Sequence, residues 1–292
     1  MAARFRSSRG GAQLFGVSQV VETTDGQFRL LYHGTTLHGA ERIADATADV
    51  MPEPLTYYYR GGPISEVIDA VRSRQGSLRH VAVVGLGTGA MACYRHSGEA
   101  WTFYEIDPAV VQIGRDPRFF TFISACAPDL SVVIGDARLT LAASTEKYDL
   151  IVLDAFSSDA IPTHLLTREA IKGYLNHLTD GGVIVMHISN RYMELADTVA
   201  AVGAAEGLEA FIKIDDRPQP LSLDYKTNAE VVALARRPED VGDLRVRRGW
   251  HQIVEAPAQP WSDDYSNILE AIISKQSERW HLPAWAEPTK TP

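Results

Sequence analysis

Three carboxylates and a glycine turn stand where this chain could do chemistry. Glu105, Asp136 and Asp154 each fall at the end of a short apolar run, and a fourth run, Val81 to Val84, opens into Gly85, Gly87 and Gly89. If the four runs are strands of one parallel sheet, these features meet at its carboxyl edge, where open α/β sheets bind ligands. A carboxylate there can accept hydrogen bonds from hydroxyl or amino groups, or bind an amine and take its proton. Glu105, twenty residues after Gly85, suits both hydroxyls of a ribose. Asp136, one strand over, suits the amino group of adenine, and Asp154, just past the glycine turn, faces the reacting end. Each acid also has a structural reading, because aspartate often caps a helix that follows a strand.

The glycines let the backbone turn sharply and approach a ligand without a Cβ in the way. A helix expected after them would present free N–H groups at its first turn. Asp154-Ala-Phe-Ser-Ser-Asp159-Ala-Ile-Pro162 is a loop with two carboxylates five residues apart, a pair that attracts an amine. The alternative is a surface loop whose Ser157, Ser158 and Asp159 serve turns and caps.

The elements that would position these groups follow from pattern. Leu14 to Ala40 reads as β structure with Asp25-Gly26 as a hairpin turn, so a small β domain over residues 1–56 comes first. Residues 57–292 then alternate strand and helix patterns: a helix near Ile64 to Arg74, the four runs above, a helix near Thr167 to Leu178 ending at Asp180-Gly181-Gly182, and the strand GVIVMHIS. A helix near Tyr192 to Glu206 and the strands LEAFIKI and AEVVALA complete the sheet. The fold class is α/β: a Rossmann-like, mostly parallel sheet with helices on both faces, preceded by the β domain.

Composition narrows the function. A chain of 292 residues, 45% hydrophobic, can bury a full core. A net charge of −9 disfavours nucleic acid as partner and suits a cationic small substrate. The nine histidines form no HExxH or paired-ligand pattern, so no metal is expected. No run is long enough to span a membrane, and MAARFRSSRGG lacks the apolar core of a signal peptide. Cys93 and Cys126 show neither CxxC spacing nor a disulfide framework, which points to a reducing, cytoplasmic compartment.

At its small β domain, GLGTG, YEID, IGDA, YDLIVLDAF, HISNRY and the WSDDYSN segment, the chain resembles the spermidine synthase family of polyamine aminopropyltransferases. It is most similar to a bacterial branch often fused to membrane transport segments, here free-standing. The resemblance implies a methyltransferase-type sheet, a homodimer, decarboxylated S-adenosylmethionine as co-substrate and a putrescine-like amine as acceptor. Gly85, Gly87, Thr88, Gly89, Glu105, Asp136 and Ala137 would then hold the nucleoside, with Glu105 on the ribose and the Asp136-Ala137 pair near adenine. Asp154 would position and deprotonate the amine, and a tyrosine of the Tyr57-Tyr58-Tyr59 run, taken as Tyr58, would line the amine site. Two positions depart from the family pattern. Thr88 stands where an acid usually holds the aminopropyl amine, and Ser157 stands where a second loop acid is usual. That leaves Asp159, or Asp263 and Asp264 from the tail, to supply the second acid.

Three alternatives stay open. A methyltransferase using ordinary S-adenosylmethionine shares the fold, and Thr88 favours it, but the acidic loop carries more charge than a methyl acceptor needs. An NAD-dependent oxidoreductase fits Gly85-Leu-Gly-Thr-Gly-Ala90, although Asp136 and Asp154 would crowd a pyrophosphate with negative charge. The third is a nucleoside-binding protein without catalytic activity.

Overall fold

The computed structural model describes residues 2–6, 17–47, 50–155, 162–190, 192–216, 224–256 and 258–279. Four antiparallel strands come first: β1 (Ala2–Arg6), β2 (Val17–Glu22), β3 (Phe28–His33) and β4 (Thr36–Arg42), in the order β1-β2-β3-β4. The β2–β3 turn carries Asp25-Gly26 as expected, with Gly26 at φ 68°.

The second sheet has eight strands: β5 (His80–Val84), β6 (Ala100–Glu105), β7 (Ser131–Ile134), β8 (Tyr148–Leu153), β9 (Leu178–His187), β10 (Glu209–Asp215), β11 (Ala229–Ala235) and β12 (Trp250–Ile253). Their order is β12-β10-β11-β9-β8-β5-β6-β7. β7, β6, β5, β8 and β9 are mutually parallel, and β11, β10 and β12 continue the sheet antiparallel. Strand order reverses between β5 and β8, so their carboxyl ends flank the crevice in which such sheets bind ligands.

Helices cover both faces, and the strand pleat sends alternate residues to opposite cores. Val81, Val83, Phe103, Leu150 and Val152 pack with Ile64, Val67, Ile68 and Val71 of the helix Pro63–Gln75. Ala82, Val84, Tyr104, Ile151 and Leu153 pack on the other side with Ile171 and Tyr174 of the helix Arg168–Asn176. Every residue of β8 is buried, as a central strand covered on both faces requires. Pro63 opens its helix at a position where its missing N–H costs nothing, and Gly76 closes it in the left-handed conformation at φ 82°.

Three expectations are corrected. The segment after the glycine turn is a 3-10 helix of five residues, Ala90–Tyr94, and not a full α-helix, so the turn itself provides the backbone donors there. Asp180-Gly181-Gly182 lies within β9, where a shift in register with β8 absorbs the two glycines, and the preceding helix ends at Asn176. Cys93 and Cys126 are joined in a disulfide with their Cα atoms 4.9 Å apart, because the 3-10 helix packs against the helix Phe122–Cys126. Their pairing removes the argument that two free thiols made for a reducing compartment. Among the described residues no helix is long and apolar enough to cross a membrane.

Candidate active site

A cavity of about 400 Å³ opens at the carboxyl ends of β5, β6, β7 and β8. That is the size of a small-molecule site. Gly85 and Gly87 form its floor, Glu105, Asp107, Asp136, Ala137 and Asp154 its walls, and Ser18, Leu31, His33 and His38 of the first sheet its roof. The four-stranded sheet is therefore part of the site.

The floor is fixed by a close approach. Gly85 has φ 98°, and a Cβ there would lie 2.0 Å from the carbonyl oxygen of Asp154. The Asp154 N–H in turn donates to the carbonyl of Val84 at 2.8 Å, which ties the end of β8 to the turn. Only glycine fits this position.

Glu105 is buried, and each carboxylate oxygen accepts one backbone N–H, from Leu86 at 2.9 Å and from Asp107 at 2.9 Å. Burial raises its pKa, and backbone N–H donors, among them Asp107, Leu86 and Ile106, oppose the shift. The carboxylate keeps acceptor capacity for a ligand hydroxyl. Asp107 caps the helix Pro108–Arg115 through Ala109. Asp136 is also a cap, with Oδ1 accepting from Arg138 and Leu139, while Oδ2 lies 3.3 Å from His164 Nε2 at the cavity wall. The capping and lining roles coincide in this residue.

Asp154 is held from the side. Its Oδ1 pairs with His187 Nδ1 at 2.8 Å, and His187 Nε2 meets Ser189 Oγ at 2.8 Å. The Tyr57 ring stacks on His187 with centroids 4.1 Å apart. Desolvation pushes the Tyr57 hydroxyl pKa well above the phenol value, and the neighbouring Asp154 carboxylate, with which it hydrogen-bonds, pushes it further.

The structure brings Gly85, Gly87, Glu105, Asp136, Ala137 and Asp154 together around the cavity and leaves four expected residues out of its lining. Thr88 is fully buried beneath β4, where a Cβ on Gly39 would come within 2.6 Å of its methyl group. Gly89 packs on Ile123. Tyr58 belongs to the core, and its carbonyl accepts from the Tyr94 hydroxyl; Tyr57 is the tyrosine that reaches Asp154. Asp264 sits on the exposed turn bracketed by Ser262 and Tyr265, and Asp159 lies outside the described residues.

Asp263 is braced elsewhere. Both its oxygens pair with Arg138, at 2.8 and 2.6 Å, and Oδ1 also accepts from Thr167 at 2.7 Å. The Arg138 hydrogen bonds hold its pKa below the ordinary carboxylate value. Asp263 thus fastens the tail to the helix behind Asp136.

Pattern reading missed His187, Ser189 and Tyr57. A signal for His187 existed in the register: Leu153 pairs with Met186, which makes Asp154 and His187 successive neighbours at one sheet edge. Tyr57 carried no such signal, since three consecutive tyrosines are equivalent until the chain is folded.

Residues 65–205 match the spermine/spermidine synthase domain, a span that includes the glycine turn and all three strand-end acids. A polyamine aminopropyltransferase of Vibrio vulnificus is 34% identical over 111 residues, covering 36% of this chain and 36% of its own. Across the curated aminopropyltransferases matched, the aligned segment spans 18% to 49% of the relative's length. An N-terminal histidine N-methyltransferase of Emericella nidulans is 28% identical over 184 residues, covering 59% of this chain and 32% of its own. The crystal structure of a probable spermidine synthase from Corynebacterium glutamicum shares the fold at 16% identity with a TM-score of 0.58, covering 87% of this chain and 95% of the other.

Proposed function

We propose that this chain, whose residues 65–205 match the spermine/spermidine synthase domain, moves the aminopropyl group of decarboxylated S-adenosylmethionine to a putrescine-like amine and releases methylthioadenosine. The observation that carries this reading is the buried Asp154 carboxylate beside the glycine turn, in one cavity with Glu105 and Asp136.

In this reading Glu105 accepts the ribose hydroxyls, and Asp136 with Ala137 faces the adenine. Those contacts fix the nucleoside, so that its sulfonium lies toward Asp154. A primary amine has a solution pKa of about 10.4 and arrives mostly protonated. The Asp154 carboxylate binds the ammonium and takes a proton, which frees the nitrogen lone pair. That lone pair attacks the methylene carbon next to sulfur; the carbon–nitrogen bond forms, the carbon–sulfur bond breaks, and its electrons leave on sulfur as a neutral thioether. General base catalysis of this kind contributes roughly a hundred- to ten-thousandfold, and alignment of the amine with the breaking bond adds to it. Assembly as a homodimer accompanies the proposal and is tested by sedimentation.

One observation favours a second reading, methyl transfer from ordinary S-adenosylmethionine. Thr88, neutral and buried, places no carboxylate in the cavity to select an amino end over a carboxylate end. The similarity to a histidine N-methyltransferase points the same way. Product analysis by mass spectrometry separates the two. Incubation with putrescine and either donor is expected to give methylthioadenosine and a polyamine one aminopropyl unit heavier, from the decarboxylated donor alone. Adenosylhomocysteine with a methylated amine would replace this proposal by the second.

A further inference from the structure

Behind Asp154 stands a group that neither the nucleoside nor the amine accounts for. His187 is buried at the end of β9 with its ring nitrogens in two different bonds: Nδ1 at 2.8 Å from Asp154 Oδ1 and Nε2 at 2.8 Å from Ser189 Oγ. Ser189 Oγ also accepts the N–H of Glu230 in β11 at 2.7 Å. One oxygen that already accepts from a backbone N–H has its own hydrogen left to donate, and His187 Nε2 is the acceptor within reach. A donor at Nε2 makes that nitrogen the lone-pair nitrogen and places the ring proton on Nδ1, aimed at Asp154.

We propose that His187 is the positioning residue of Asp154, held as the Nδ1–H tautomer between the Asp154 carboxylate and the Ser189 hydroxyl. This rests on the reading of Asp154 as the group that binds and deprotonates the amine. The Nδ1–H bond occupies Oδ1 and fixes the carboxylate plane, so the second oxygen is the one presented to the acceptor amine. Tyr57, stacked on the imidazole at 4.1 Å, keeps the ring from turning. The arrangement spans three chain segments and is anchored on main chain at Glu230, which gives it a rigidity that a solvated aspartate lacks.

The tautomer can be read without activity. In protein labelled with nitrogen-15 histidine, long-range proton–nitrogen correlation, assigned by loss of a signal in His187→Leu, should show a neutral His187 protonated at Nδ1. Ser189→Ala should move the Nε2 resonance, which loses its hydrogen-bond donor, while Nδ1 keeps its proton against the Asp154 carboxylate. A wild-type His187 found as imidazolium, or protonated at Nε2, overturns the proposal. Kinetics supply the second arm. His187→Leu removes the donor and should lower kcat roughly a hundredfold, with methylthioadenosine affinity unchanged by calorimetry. His187→Asn carries an amide N–H in place of Nδ1–H and should recover kcat to within about fivefold of wild type. Equal loss in both variants, or turnover by His187→Leu at the wild-type rate, contradicts a positioning role. If the wild-type protein produced neither methylthioadenosine nor adenosylhomocysteine, the transferase reading would fall, while the imidazole signals would still decide how His187 is held.

Discussion

The two ends of the cavity hold their acids by different means. At the nucleoside end Glu105 and Asp136 are gripped by main chain: Glu105 by the N–H groups of Leu86 and Asp107, Asp136 by those of Arg138 and Leu139. At the reaction end Asp154 is gripped by side chains, His187 from the neighbouring strand and Tyr57 from ahead of the sheet. Main-chain donors come with the turn and persist whatever the side chains are. Side-chain donors can be exchanged, so under the proposed function the end that holds the nucleoside is built for constancy and the end that holds Asp154 for adjustment to a particular acceptor.

Damage at one end should therefore leave the other intact. Glu105→Ala removes a charged acceptor of two ribose hydrogen bonds, worth together about 3 kcal/mol, so methylthioadenosine binding measured by calorimetry should weaken by roughly a hundredfold. Turnover at saturating donor should stay within several-fold of wild type. A collapse of kcat with binding unchanged would erase the distinction.

Acidification probes the same residue more gently. Burial raises the Glu105 pKa above 4.5, so in the folded chain it takes up its proton at a higher pH than in the unfolded chain. Its contribution to stability is therefore full below the unfolded value and lost as pH rises through the folded one. Ribose binding has the opposite sign, because protonation turns an acceptor oxygen into a donor. Nucleoside affinity should fall by up to about tenfold per pH unit once pH drops through the raised value, and Glu105→Ala should flatten that limb. A limb that persists in the variant would assign it to another group.

The smallest effect is expected at the tail. Asp263 is partly exposed and already satisfied by Arg138 and Thr167, so Asp263→Ala should cost less than about 1 kcal/mol in denaturant unfolding. The acceptor KM should change less than about twofold, a shift that equates with under half a kcal/mol. A large rise in KM would make Asp263 an amine ligand instead of a brace.

The contrast between the two ends also explains what the sequence disclosed. Glu105, Asp136, Asp154 and the glycine turn were legible because strand ends, helix caps and tight turns have local signatures. The edge they share follows from the alternation of strand and helix. His187 and Tyr57 act across contacts 33 and 97 residues from Asp154, and no local pattern encodes a partner at that distance. Thr88 was misleading for a related reason: its place in the glycine motif implies a ligand contact, while here its methyl group fills the space left by Gly39. The cysteine pair shows the same limit, since 33 residues of separation hide two segments that pack side by side.

The most direct test of the account is Asp154→Asn, assayed in parallel for turnover with decarboxylated S-adenosylmethionine and putrescine and for methylthioadenosine binding by calorimetry. The variant keeps the size of the side chain and removes the base. The account predicts that kcat falls roughly a hundred- to ten-thousandfold while nucleoside affinity stays within about threefold, a change that equates with less than one kcal/mol. Turnover at the wild-type rate would show that Asp154 is not the group that deprotonates the amine.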